Sequence, residues 1–194
     1  MRVQELTRGL WRWTGLHPDW TPEQGGPEGW EQEVGCVYYE APEAVVLVDP
    51  LVPPEDEERF WRALDRDVER AGKPVHVLLT VPWHARSAEA LSERYGGEIG
   101  SDLPRGVEGH EAVHFEETIF WIAEHGALVF GDVVLGADGG GVRLCPESWL
   151  EQAGHAELKQ ALRPLLDLPV ERLLVSHGEP VLEGAQAALA RALA

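Results

Sequence analysis

The segment from Val75 to Ser87 reads Val-His-Val-Leu-Leu-Thr-Val-Pro-Trp-His-Ala-Arg-Ser, and it decides the fold. It begins as an apolar run, which is typical of a buried strand, breaks at Pro82, and continues as a helix-like pattern. A buried strand that turns directly into a helix places polar groups at the carboxyl edge of a sheet, where α/β proteins usually keep their sites. The sequence therefore indicates a functional site at His84 and Arg86.

Two later segments, 127–132 and 173–178, repeat this pattern of an apolar run that ends in polar residues. The first run ends in Gly-Asp, with Asp132, and the second in Ser-His-Gly, with His177. We expect both ends to converge with the turn at His84 in one pocket.

An earlier run, 44–48, is apolar at every position, as in a central strand that is covered on both faces. It ends at Asp49, which is followed by a proline. An Asp in this position is equally consistent with a turn-forming residue and with a carboxylate of the site.

The chain length of 194 residues predicts a single domain, 1–194, built of two similar halves with a boundary near residue 100. The net charge of −18 repels phosphate backbones and anionic lipid headgroups. We therefore expect an acidic protein that binds a small molecule, and neither nucleic acid nor a membrane surface.

The two cysteines, Cys36 and Cys145, lie far apart and in no metal-binding or redox spacing, so we expect buried free thiols in a reducing compartment. No apolar segment resembles a signal core or reaches the ~20 residues that span a bilayer. These features predict a cytoplasmic protein.

A long loop between His17 and Trp30 is rich in proline, glycine and glutamate and carries Trp20 and Trp30 near its ends. Long loops with aromatic tips often close a pocket. The sequence is equally consistent with a loop that covers a subunit contact, so a homodimer is left open.

The remaining elements follow from apolar periodicity. Predicted strands are 34–39, 107–115, 118–123, 127–130, 142–145 and 172–176, and predicted helices are 53–71, 88–95, 155–168 with a kink at Pro164, and the terminal segment 182–193.

The order of these elements, together with the Val-Asp-Pro ending at Asp49, the Gly-Asp at Asp132 and the Ser-His-Gly at His177, resembles the metallo-β-lactamase fold superfamily. The resemblance is closest to hydrolases of the glyoxalase II kind, and it extends from about residue 34 to the terminal helix. It implies an α+β fold, a four-layer αββα sandwich, with the site at one edge between the two sheets. It also implies a hydrolase that acts on a small molecule.

The family's metal-binding signature, His-x-His-x-Asp-His after a Thr, is missing. The resemblance puts four other residues where its ligands would stand: Val81, Trp83, Ala85 and Arg86. His84 falls on a spacer position. Because Val, Trp and Ala cannot coordinate a cation, the metal site implied by the family is degenerate here.

The resemblance leaves three candidate ligands, His114, Asp132 and His177, with His110 as a rival to His114. His114, Asp132 and His177 together would hold one Zn²⁺ or Fe²⁺ and leave a position for water. Asp49 matches the family's Asp that orients the signature loop from behind the ligands.

The competing hypothesis is that no metal binds. A guanidinium is always charged and can pair with a carboxylate through two parallel hydrogen bonds. On this hypothesis Arg86 reaches Asp132 or Asp49 and replaces the missing cation.

Two functions therefore remain open. The first is a divergent hydrolase, in which His84 or His177 acts as general base, Arg86 stabilises an oxyanion, and Trp83 forms a wall of the pocket. The second is a metal-free pseudoenzyme that binds a small ligand or a protein. A serine hydrolase is excluded, because the chain has no Gly-x-Ser-x-Gly turn.

Overall fold

The computed structural model of the protein describes residues 1–100, 102–150 and 154–194. Within these residues the chain forms two larger β-sheets, a separate hairpin and four α-helices. The strands are β1 Arg2–Thr7, β2 Leu10–Leu16, β3 Glu33–Glu40, β4 Val45–Val48, β5 Val75–Leu78, β6 Glu98–Ile99, β7 Glu108–Glu111, β8 Thr118–Ile122, β9 Ala127–Phe130, β10 Val134–Ala137, β11 Gly141–Leu144 and β12 Arg172–Val175. The helices are α1 Glu57–Ala71, α2 Ala88–Tyr95, α3 His155–Leu162 and α4 Ala185–Ala192.

The first sheet has the strand order β1-β2-β3-β4-β5-β6. Strands β1 to β4 pair antiparallel, whereas β4, β5 and β6 pair parallel, because α1 and α2 supply the crossovers that parallel neighbours need. Val48 lies opposite Leu78, so β4 and β5 end at the same edge. Asp49 and Thr80 follow these two ends.

The second sheet has the strand order β12-β9-β8-β7, and β10 and β11 form the separate hairpin. Strand β12 runs parallel to β9, with Val175 opposite Phe130, so these two strands also end together. Asp132 and His177 each lie two residues beyond an end.

Three apolar layers divide the sheets and helices into four layers of secondary structure. The middle layer lies between the sheets, and the outer two lie between one sheet and a pair of helices. Alternate residues of β4 show this division, because Val46 and Val48 face the middle layer, whereas Val45 and Leu47 pack with Phe60 of α1. On the far side, α3 and α4 cover the second sheet. The predicted αββα sandwich is confirmed.

The two sheets meet at the edge where their strands end. The Gly35 backbone N–H donates to the Ser176 carbonyl oxygen at 2.7 Å, which links β3 of the first sheet to the end of β12. Val34 and His177 form an isolated antiparallel bridge beside this bond. The polar residues that follow β4, β5, β9 and β12 are thereby brought to one place.

Two predicted elements end several residues earlier than the sequence suggested. The strand predicted over 107–115 ends at Glu111, because Val113 and Phe115 adopt positive φ angles of 70° and 64°, which no strand accommodates. The helix predicted over 155–168 ends at Leu162 and continues as a 3₁₀ turn around Pro164.

Two further features of the structure agree with predictions made from the sequence. Both cysteines are buried and free. No helix in the described part of the chain combines the length and apolar character needed to cross a bilayer.

Candidate metal centre

His84, Asp132 and His177 form a cluster at the sheet edge. One nitrogen or oxygen atom from each lies within 4.8 Å of the others, and all three side chains are buried. The Asp132 Oδ1 atom lies 3.3 Å from His84 Nε2 and 3.1 Å from His177 Nε2. Two imidazole nitrogens therefore converge on one carboxylate oxygen.

Asp49 contacts the ring nitrogen of His84 that does not face Asp132. The Asp49 Oδ2 atom lies 3.0 Å from His84 Nδ1 and accepts a hydrogen bond from the Ser176 hydroxyl at 3.1 Å. The Thr80 backbone N–H donates to Oδ1 at 2.8 Å, and the Thr80 hydroxyl donates to Oδ2. Asp49 is thus a buried carboxylate of the site, and its own φ angle is positive, at 48°.

The hydrogen bond to Asp49 fixes the tautomer of a neutral His84. If Nδ1 carries the proton and donates it to Asp49, Nε2 presents its lone pair to the cluster. Burial acts to lower the pKa of His84, but the charge of Asp49 and the hydrogen bond to Asp132 outweigh it and raise the pKa to about 9. Without a metal the ring is therefore an imidazolium between two carboxylates.

The other two members of the cluster differ in charge. Burial disfavours the Asp132 carboxylate, but hydrogen bonds from His177 and His84 hold its pKa well below the usual range. Burial lowers the pKa of His177, so its ring is neutral at pH 7. The Nδ1 atom of His177 is buried and has no hydrogen-bond partner.

Trp83 also contacts the cluster. Its indole N–H donates to Asp132 Oδ2 at 2.7 Å, although 55% of the side chain is exposed. The Trp83 ring packs edge-on against Phe115, with 5.9 Å between centroids. Trp83 therefore lies in the wall of the pocket, where the sequence predicted it, and it also fixes one oxygen of Asp132.

Glu117 is a site residue that sequence reasoning missed. Its side chain is buried and accepts hydrogen bonds from three consecutive backbone N–H groups, those of Gly131, Asp132 and Val133, at 2.8, 2.8 and 2.9 Å. Burial and the charge of Asp132 raise the pKa of Glu117 to about 8, against the effect of the three N–H donors. The carboxyl group clamps the turn that carries Asp132.

Arg86 lies beside the site but does not make the predicted ion pair. Its Nη1 atom donates to the main-chain oxygens of Asp49, at 2.9 Å, and Gly35, at 3.3 Å. No described contact within 4.0 Å joins its guanidinium to a carboxylate. The prediction that Arg86 pairs with the Asp132 or Asp49 carboxylate is therefore wrong, because other donors already occupy those oxygens.

His114 does not join the cluster, and the described structure places His84 there in its stead. His114 lies with Val113 and Phe115 along a neighbouring groove, and its Nε2 atom is buried without a partner. His110, the rival candidate, is on β7 and is also outside the cluster. The predicted candidate ligand His114 thus lies outside the cluster, which in the described residues consists of His84, Asp132 and His177.

A cavity of about 760 Å³ opens onto the cluster. The lining residues are His17, Glu23, Gln24, Gly25, Glu28, Gly29, Trp30, Trp83, His84, Arg86, Phe115, Asp132, Trp149 and His177. The long loop therefore contributes one wall. Trp30 packs against the His177 ring with 4.9 Å between centroids, and Trp149 Nε1 donates to the Glu28 carbonyl oxygen at 2.9 Å, which ties the loop to the opposite side.

Strained backbone is concentrated around this cavity. The described non-glycine residues with positive φ are Asp49, Arg86, Val113, Phe115 and Glu116. Each costs about 1–3 kcal/mol, and such strain gathers at functional sites.

The comparisons with known proteins identify the fold. Neither a protein-family model nor a curated protein sequence matches the chain. Among solved structures, metallo-β-lactamase IND-7 aligns over 99% of this chain and 97% of its own, at 13% identity and a TM-score of 0.62. A metallo-β-lactamase from Erythrobacter litoralis aligns over 98% and 89%, at 16% identity and 0.60, and one from Pontibacter korlensis over 99% and 98%, at 14% identity and 0.57. The chain has the metallo-β-lactamase fold.

Proposed function

We propose that the protein is a metal-dependent hydrolase of a small molecule, with one Zn²⁺ or Fe²⁺ held by His84, Asp132 and His177. The observation that carries this proposal is the convergence of two imidazole nitrogens and a carboxylate, from three strand ends, at a cavity. Two His and one carboxylate are a known protein ligand set for a catalytic zinc ion with an open position. The solved structures of similar fold are metallo-β-lactamases by name, which supports a metal-dependent reaction.

The donor atoms suit such an ion. The separations of 3.1 and 3.3 Å between the two nitrogens and Asp132 Oδ1 are near the roughly 3.4 Å expected between ligands of a tetrahedral ion with bonds of ~2.1 Å. Asp49 on the far nitrogen of His84 is the usual carboxylate partner of a metal-binding histidine. A bound ion would supply Lewis acidity and lower the pKa of its water toward ~7.

The chain's own residues position the reaction. Asp49 directs the His84 lone pair, Glu117 clamps the turn that carries Asp132, and the Trp83 N–H holds the second oxygen of Asp132. In this arrangement the two imidazoles act as ligands and are not free to act as bases. Arg86 lies in the cavity wall, where its charge stabilises negative charge that develops on a substrate oxygen.

The test measures metal content and hydrolysis together. The tag-free chain, expressed with added zinc and iron, is analysed by elemental mass spectrometry beside His177→Ala and the control His76→Gln, which lies outside the cluster. We expect about one equivalent of metal in the parent and control and almost none in His177→Ala. A panel of esters, thioesters and lactones should be hydrolysed only by the metal-loaded chain. Hydrolysis that survives chelation would contradict the proposal.

The second candidate is a metal-free binding protein. The observation that favours it is the position of His84, whose two ring nitrogens lie 3.0 Å from Asp49 and 3.3 Å from Asp132. An imidazolium there compensates both carboxylates without a metal. This candidate predicts no metal in any of the three samples.

A further inference from the structure

The lining of the cavity beyond the cluster, here called the outer cavity, has its own chemistry, although two of its rings, Trp30 and Trp83, also contact the cluster. Four aromatic side chains line the cavity: Trp30, Trp83, Phe115 and Trp149. The Trp83 and Phe115 rings meet edge-to-face with 5.9 Å between their centroids, and 55% of Trp83 is exposed. Aromatic faces carry negative partial charge and attract cations within about 6 Å.

Two carboxylates stand among these rings. Glu28 is held in place, because the Ser148 hydroxyl donates to its Oε2 atom at 2.8 Å and the Trp149 indole donates to its carbonyl oxygen at 2.9 Å. A hydrogen bond from Thr21 lowers the pKa of Glu23, which keeps this exposed group ionised. Both residues line the cavity from the long loop, and both are exposed.

Little positive charge opposes them. Among the described residues that line the cavity, only Arg86 carries a permanent positive charge. It is at the inner end, where it donates to the main-chain oxygens of Gly35 and Asp49. Apart from Arg86 and the residues of the cluster, the permanently charged residues of the described lining are therefore the carboxylates of Glu23 and Glu28, on a chain whose net charge is −18.

We propose that this outer cavity binds an alkylammonium group, so that the substrate is a cationic small molecule whose hydrolysable bond lies at the metal cluster. The assignment of the cation as part of a substrate rests on the proposed function, whereas binding of the cation requires only the outer walls. Ring faces and carboxylates together are the surroundings that bind quaternary and protonated amines, and the negative field of the chain draws them in.

The test compares three probes of the same size by calorimetry on the full chain, as purified and after chelation. The probes are choline, dimethylbutanol, in which carbon replaces the nitrogen, and dimethylbutyrate, which is an anion. We expect choline to bind about tenfold more tightly than dimethylbutanol, and dimethylbutyrate to bind more weakly than both. Equal binding of choline and dimethylbutanol, tighter binding of the anion, or no binding of choline would overturn the proposal.

Matched variants locate the binding. Glu28→Gln should weaken choline binding about threefold or more and leave dimethylbutanol binding unchanged. Glu31→Gln, at an exposed residue directly after the same loop and outside the lining, should leave the binding of both probes unchanged. Trp149→Leu should weaken choline more than Trp149→Phe does, because phenylalanine keeps a ring face. Equal effects of Glu28→Gln and Glu31→Gln would contradict the location. A zinc titration of the same samples reports separately on the metal site, so the two proposals can fail independently.

Discussion

At the scale of single residues, the arrangement of the site depends on how many hydrogen bonds the oxygens of Asp49 and Asp132 already accept. Asp49 Oδ2 already receives contacts from Thr80, His84 and Ser176, and the two oxygens of Asp132 are occupied by Trp83, His84 and His177. Arg86 consequently finds main-chain oxygens instead of a carboxylate. The predicted replacement of a metal by a guanidinium fails for this reason.

Glu117 offers the sharpest test at this scale. In Glu117→Gln, one acceptor oxygen becomes an NH₂ group that faces backbone N–H donors, so at least one of the three hydrogen bonds is lost. We expect a loss of about 1–3 kcal/mol in the free energy of unfolding and roughly tenfold weaker zinc binding. Urea denaturation and zinc titration measure these quantities.

The neighbouring Glu116→Gln is the control, because Glu116 is exposed. Glu116→Gln should change neither the free energy of unfolding nor the affinity for zinc. If Glu117→Gln bound zinc as tightly as the parent, the role assigned to Glu117 in positioning Asp132 would be refuted.

At the scale of elements, the contact between the two sheets depends on Gly35 in β3. A Cβ atom at this position would lie 2.6 Å from the Val175 carbonyl oxygen and 2.6 Å from Arg12 Nη2. Gly35→Ala should therefore separate the strands that bring His177 to the site and cost about 1–3 kcal/mol, measured by urea denaturation.

The control is Gly141→Ala in the β10–β11 hairpin, where nothing lies within 4 Å of the added Cβ atom. The free energy of unfolding of Gly141→Ala should stay within about 0.5 kcal/mol of that of the parent. Equal stability of the two variants would show that the packing at Gly35 relaxes freely.

The sequence predicts elements well where apolar periodicity and strand ends define them, which is why the sandwich and the positions of Asp132 and His177 were found. The sequence placed His84 in the pocket but not among the candidate metal ligands, because residues 82–85 form a 3₁₀ turn, which aims a spacer position at the cluster. Glu117 was missed because its partners are fourteen to sixteen residues away, beyond any local pattern.

At the scale of the whole molecule, the proposed metal site joins both halves of the sandwich. His84 follows the first sheet, whereas Asp132 and His177 follow the second. An ion that binds only the folded state stabilises it, by about 2.7 kcal/mol at a concentration one hundred times Kd. Zinc should therefore raise the Tm of the metal-free chain in calorimetry by several degrees.

The same zinc concentration should leave the Tm of His177→Ala unchanged, since the ligand set is then incomplete. A similar rise in both proteins would indicate zinc binding at other surface groups. That outcome would count against the cluster as the source of the stabilisation.

We propose that His84, Asp132 and His177 bind a metal ion. Anomalous diffraction at the zinc edge, from crystals grown with Zn²⁺, tests it most directly. We expect one strong peak about 2.0–2.2 Å from His84 Nε2, from an Asp132 oxygen and from a His177 nitrogen. A site without a peak, or a peak at His114 instead, would contradict it.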